Sequence, residues 1–174
     1  MTDALIDDQL LGLVLRNKTP RILASNKLFT TGYWYVRLCQ AVLNAQDRTG
    51  VLSRPFVDLP TQLRDRAVHA ALELPTEIGM VSLRELGPII ARLRQHHQLN
   101  ILNIEALAAA RHLNATVFVS APSPLLQSAL AQERVKVKVA SRSQSTTLVS
   151  MRRPEESLLS TTAITSGVNL GDLV

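Results

Sequence analysis

The feature that most constrains this chain is its close between residues 116 and 139. Thr116-Val117-Phe118-Val119-Ser120 is a short β-branched run, residues 124 to 132 read as a helix behind Pro124, and Val135-Lys136-Val137-Lys138-Val139 alternates with period two. β-Branched and alternating runs favour strands. Two strands joined through a helix-length crossover pair in parallel rather than as a hairpin. Parallel sheets bury both faces, so helices are predicted on either side. The lysines of the last run predict an edge strand with one charged face, which discourages pairing with other chains.

The rest of the chain fits the same class. Ala4-Leu5-Ile6 reads as a strand that ends on Asp7-Asp8, and Leu10, Leu11, Val14 and Leu15 have helical spacing after it. Asp8 is the expected cap of that helix. Residues 17 to 28 are polar, contain Pro20 and read as a connection. Thr30-Thr31-Gly32 opens a helix over residues 33 to 44, with Trp34, Leu38, Val42 and Ala45 on its buried side. Residues 47 to 59 read as a loop around Gly50 and Pro55.

A second amphipathic helix is predicted over residues 61 to 74, with Leu63, Ala67, Ala70, Ala71 and Leu74 inward and Pro75 as its stop. Ser82-Leu83-Arg84-Glu85 has capping-box spacing and starts a helix running to about His97, with Pro88 near its first turns. Asn103-Ile104-Glu105 opens an alanine-rich helix. The expected fold is α/β, a short and mostly parallel sheet flanked by helices in three layers. Residues 1–140 form its domain, and residues 141–174 are expected to be a flexible Ser/Thr-rich tail with short ordered pieces at Leu158-Leu159.

Composition excludes several classes. No apolar run approaches the ~20 residues of a membrane helix, and the acidic Met1-Thr2-Asp3 start lacks a signal-peptide pattern. One cysteine, Cys39, forbids an internal disulfide framework and points to a reducing, cytoplasmic setting. Cys39 lies among helical apolar residues and is expected to be buried and inert. The net charge of +5 divides as +3 over residues 1–132 and +2 over residues 133–174, so no basic arm exists. Such an excess permits nucleic-acid binding without demanding it. Aromatics are 3%, too few for a stacking platform. There is no phosphate-binding loop, Gly-x-Gly-x-x-Gly or Gly-x-Ser-x-Gly motif.

In an open parallel sheet, sites lie at the carboxyl ends of the strands. Asp7, Asp8 and Ser120 sit where strands should end, and Glu105 opens the helix that feeds one of them. A carboxylate cluster there could hold Mg²⁺ or Mn²⁺ for phosphodiester hydrolysis. Two carboxylates about 4 Å apart repel by roughly 4 kcal/mol at an effective dielectric near 20, so such a cluster needs a cation.

The segment Leu5-Ile6-Asp7-Asp8-Gln9-Leu10-Leu11 resembles the opening motif of PIN-like domains, and residues 99–139 resemble their close, carried by His97, Leu99, Glu105, Ala106 and Ala109. Leu74-Pro75-Thr76-Glu77 resembles the family's middle linker. The resemblance implies a metal-dependent ribonuclease fold, with catalytic and metal-binding acids at Asp7 and Glu105 and a further carboxylate at Asp8. Where the family has its second acid, this chain has Arg37 in Arg37-Leu38-Cys39-Gln40-Ala41-Val42. Where the fourth is expected, Ser120-Ala121-Pro122 supplies none. Arg37 is expected to pair with Asp7 or Glu105 and to take the charge role of a metal ion.

Three functions follow as expectations. One is a PIN-like protein with an incomplete metal site that binds RNA or a protein partner with weak or no cleavage. Another is an active Mg-dependent endoribonuclease of the toxin type with an antitoxin partner, in which Glu77 or Glu85 supplies the missing acid. The third is a structural module alone. The family also implies a homodimer. Structural readings stand beside these: Asp7-Asp8 as a helix cap, Glu105 as a dipole partner of its own first turn, and His96-His97 as complements to a helix end. Residues 30–35 read as aromatic core packing before a substrate loop, and Arg64, Arg66, Arg92 and Arg94 as solvated helix faces.

Overall fold

A computed structural model of the chain describes residues 2–45 and 50–140. The tail expected over residues 141–174, with Leu158-Leu159, lies outside the described residues, as does part of the 47–59 segment.

β1 (Thr2–Ile6) leads into α1 (Asp8–Val14), and a 3-10 turn (Arg21–Leu23) precedes β2 (Asn26–Thr30). Then come α2 (Gly32–Leu43), α3 (Arg54–Val57), α4 (Thr61–Leu72) and β3 (Gly79–Met80). α5 (Leu83–Leu93), α6 (Ile101–Leu113), β4 (Thr116–Val119), α7 (Pro124–Gln132) and β5 (Val137–Val139) complete the described chain. The five strands form one sheet in the order β3-β2-β1-β4-β5, and every pair is parallel. The α/β class and the parallel sheet are as expected from the sequence. β5 is an edge strand, where its lysines were expected to lie.

β1 occupies the centre, and Ala4, Leu5 and Ile6 are wholly buried. Alternation sends its side chains to opposite faces. Ala4 and Ile6, with Phe118, pack on Leu10, Leu11, Leu38, Val42 and Ala71. Leu5, with Val117 and Val119, packs on Leu86, Leu93, Ile104, Leu107 and Leu130. The sheet is therefore the middle of three layers. α6 is buried continuously from Ile104 to Ala110, and its alanines allow close packing against neighbours.

Several local expectations are corrected. Residues 17–28 hold most of β2, whose Asn26 and Lys27 have low strand propensity. Its register against β1 from Thr2↔Asn26 to Leu5↔Phe29 supplies the ordering. The 47–59 segment contains α3, which buries Phe56. Leu63 is 51% exposed rather than inward, and Ala71 is the buried residue of α4. α5 ends at Leu93, four residues before His97. β3 is only two residues long and had no periodic signal. It lies so close to β2 that a Cβ on Gly79 would overlap the Phe29 ring.

Candidate functional site

The strand order reverses direction on either side of β1, which makes the carboxyl ends of β1 and β4 the natural crevice of such a sheet. Asp7 follows β1 and Ser120 follows β4. Their side chains close that crevice. The Ser120 N–H and hydroxyl both donate to Asp7 Oδ2, at 2.6 and 2.7 Å. Asp7 Oδ1 accepts from the Leu10 N–H at 2.9 Å. Asp7 is therefore the N-cap of α1, where Asp8 was expected. The change of residue has a simple cause. Asp7 has the extended backbone a cap needs, while Asp8 already lies inside the helix.

Glu105 is fully buried. It belongs to the second turn of α6, because Asn100 caps that helix and Ile101 begins it. It does not serve its own helix dipole. Its Oε1 accepts from the Gly32 N–H at 3.1 Å and its Oε2 from the Tyr33 N–H at 2.9 Å. These are two of the free amide groups at the start of α2, so a carboxylate from one helix caps another. Thr31 Oγ1 completes the cap by accepting from the Trp34 N–H. A Cβ on Gly32 would come within 3.2 Å of Glu105 Oε1, so glycine gives the carboxylate its approach. The sequence held a signal for this. A lone acid inside the apolar run Ile104-Glu105-Ala106-Leu107 must find buried donors.

Asp8 is 3% exposed. Arg37 Nε lies 3.1 Å from its Oδ2, but the two are not aligned as a hydrogen bond, and Oδ2 has no hydrogen-bond partner. Burial pushes the Asp8 carboxyl up to about 6. Arg37 opposes that rise and the neighbouring Asp7 charge adds to it. The expected pairing of Arg37 with Asp7 or Glu105 is thus corrected: its ion-pair partner is Asp8. Arg37 sits in the second turn of α2, a helix that Glu105 already fixes at its first turn. This places the guanidinium beside the start of α1, against which α2 packs.

The structure brings Asp7, Asp8, Arg37, Glu105 and Ser120 to one edge of the sheet. It does not bring Glu77, which lines a separate cleft with Asp3 and Asn26, residues of the opposite ends of β1 and β2. Glu85 lies exposed in the first turn of α5. As a metal site the acids fit poorly. Asp7 Oδ2 carries two donors and is full by lone-pair count, and Glu105 holds one backbone donor on each oxygen. Among the described residues, no group of three or more His, Cys, Asp or Glu side chains is placed to hold a metal ion together.

A second polar cluster escaped sequence reasoning. His97, expected at a helix end, is 8% exposed, and its Nε2 lies 2.8 Å from Glu133 Oε1. Arg111 Nη1 donates to Glu133 Oε2 at 2.7 Å. Thirty-six positions separate His97 from Glu133, too far apart for a local pattern to reveal the pair. Core packing was expected over residues 30–35; Trp34 is buried, but Tyr33 is exposed, and Cys39 is only half-buried. No helix among the described residues is long and apolar enough to cross a membrane. No protein-family model matches the chain, and no curated protein matches it significantly.

Proposed function

We propose that the chain is a PIN-like protein whose acidic positions serve the fold rather than a metal ion, and that it binds RNA or a protein partner in the cytoplasm with weak or no nuclease activity. The observation that carries this reading is the occupation of the carboxylates. Asp7 ties β1 to β4 and caps α1, and Glu105 caps α2. Arg37 supplies a positive charge beside Asp8. A guanidinium there lowers the repulsion that would otherwise call for Mg²⁺ or Mn²⁺.

Asp8 favours a second reading, an Mg-dependent endoribonuclease of the toxin type. A buried carboxylate with one oxygen lacking a hydrogen bond is a group a cation would satisfy. Metal-dependent RNA cleavage separates the two. Asp8→Asn is the informative variant, because Asp7→Asn would leave one acceptor oxygen for the Leu10 N–H and the two Ser120 donors, and so disturb the fold as well. The proposal expects little or no cleavage by the wild type in Mg²⁺ or Mn²⁺. Efficient metal-dependent cleavage that Asp8→Asn abolishes, in a variant still folded by circular dichroism, contradicts it.

A further inference from the structure

The basic side chains of the molecule are not evenly spent. A cleft of ≈ 580 Å³ opens where α5, α6 and α7 end, and it is lined by Arg92, His96, Arg111, His112 and Glu133. Glu133, the C-cap of α7, is the one acid in that lining. Both of its oxygens are taken, by His97 and Arg111. Arg92 pairs with no acid among the described residues, and neither do His96 and His112. All three are exposed.

We propose that this cleft takes a phosphate group, held by Arg92, His96 and His112 beside the Arg111–Glu133 pair. A guanidinium presents a planar fork of donors that matches phosphate oxygens, and the imidazoles add donors at the rim. Arg111 spends one nitrogen on Glu133, and its remaining N–H groups extend the donor set. The part-buried His97–Glu133 contact holds Glu133 in place, and Glu133 in turn anchors Arg111 through one hydrogen bond. Offsetting the negative end of a helix dipole accounts for a basic residue per helix end. It does not account for four of them around one cavity.

The phosphate comes either from an RNA backbone or from a free phosphate species. The first source rests on the RNA-binding reading and moves the bound strand away from Asp7, which ties β1 to β4. With 3% aromatics the chain is suited to backbone rather than base recognition.

The full chain is titrated with inorganic phosphate by calorimetry and with a fluorescein-labelled RNA 12-mer by anisotropy. The wild type is compared with the triple variant Arg92→Gln, His96→Gln, His112→Gln, and with Arg37→Gln. Arg111 is kept, so Glu133 retains its partners. For RNA, the triple variant is expected to bind about tenfold more weakly, and its log K against log salt to flatten by ~0.7 for each phosphate it no longer neutralises. Arg37→Gln is expected to bind like the wild type. Phosphate bound by the wild type but not by the triple variant, without RNA binding, still supports the cleft while removing RNA from the proposed function. Equal binding of both ligands by wild type and triple variant overturns the inference, as does binding of neither by the wild type. RNA binding abolished in Arg37→Gln and kept in the triple variant places the nucleic acid at the acidic edge and also overturns it.

Discussion

Asp8 and Glu105 illustrate opposite solutions for a buried carboxylate. Glu105 is stabilised by two backbone donors at a helix start. Replacing it with Gln leaves one carbonyl oxygen for two N–H groups and removes the charge at the positive end of α2. A loss of about 2–3 kcal/mol is expected in denaturant unfolding. Asp8 instead has a neighbouring charge and an oxygen without a hydrogen bond. Its folded pKa, about 6, lies above the ordinary 3.8. The stability this group contributes is full below about pH 4 and is lost as pH rises through about 6. That window corresponds to roughly 3 kcal/mol. Asp8→Asn should remove this slope and leave the variant more stable than wild type near neutral pH. A stability difference between the two that does not change with pH would refute the assignment. Both carboxylates were visible in the sequence as candidates. Their partners were not, because Gly32, Tyr33 and Arg37 reach them only through the packing of α2 on α1 and α6.

Elements read with unequal clarity. The 116–139 close was recoverable because β-branched, alternating and helical signals agree there, and α7 falls on residues 124 to 132 as expected. β2 and β3 were missed because pairing, not propensity, makes them strands. β2 begins Asn26-Lys27 and takes its order from β1 on one side and β3 on the other. β3 offers two residues, one of them a glycine. Gly79→Ala should therefore act on the sheet rather than on a turn. Its Cβ would strike Phe29, and overpacking of this kind costs about 1–3 kcal/mol, measurable as a lower melting temperature. A variant as stable as the wild type would mean that Phe29 can yield. At the carboxyl edge, Ser120→Ala should cost less than Asp7→Ala. The first removes one of two donors to Oδ2, and the second removes both bonds and the α1 cap.

For the whole molecule, the sheet divides the work between its two ends. The carboxyl ends of the central strands are tied by Asp7, Glu105, Thr31 and Ser120 into the framework that orders α1 and α2. The exposed basic groups around the second cleft lie where α5, α6 and α7 finish. The edge at β5 is guarded by Lys136 and Lys138, with Lys138 also resting on the Phe118 ring. Replacing both Lys136 and Lys138 with Val should raise light scattering at high concentration by exposing a strand edge without charge. The acid pattern alone suggested a nuclease face. The three-dimensional placement assigns most of those oxygens to backbone amides, a distinction that spacing along the chain does not encode.

That assignment is tested most directly by melting temperature in EDTA and in excess MgCl₂ or MnCl₂, for the wild type and Asp8→Asn. A metal held by the folded state at a hundred times its Kd would add about 2.7 kcal/mol, a shift of several degrees. If the acids belong to the fold, the wild type melts at the same temperature in both conditions. A several-degree rise with metal that disappears in Asp8→Asn would contradict the account.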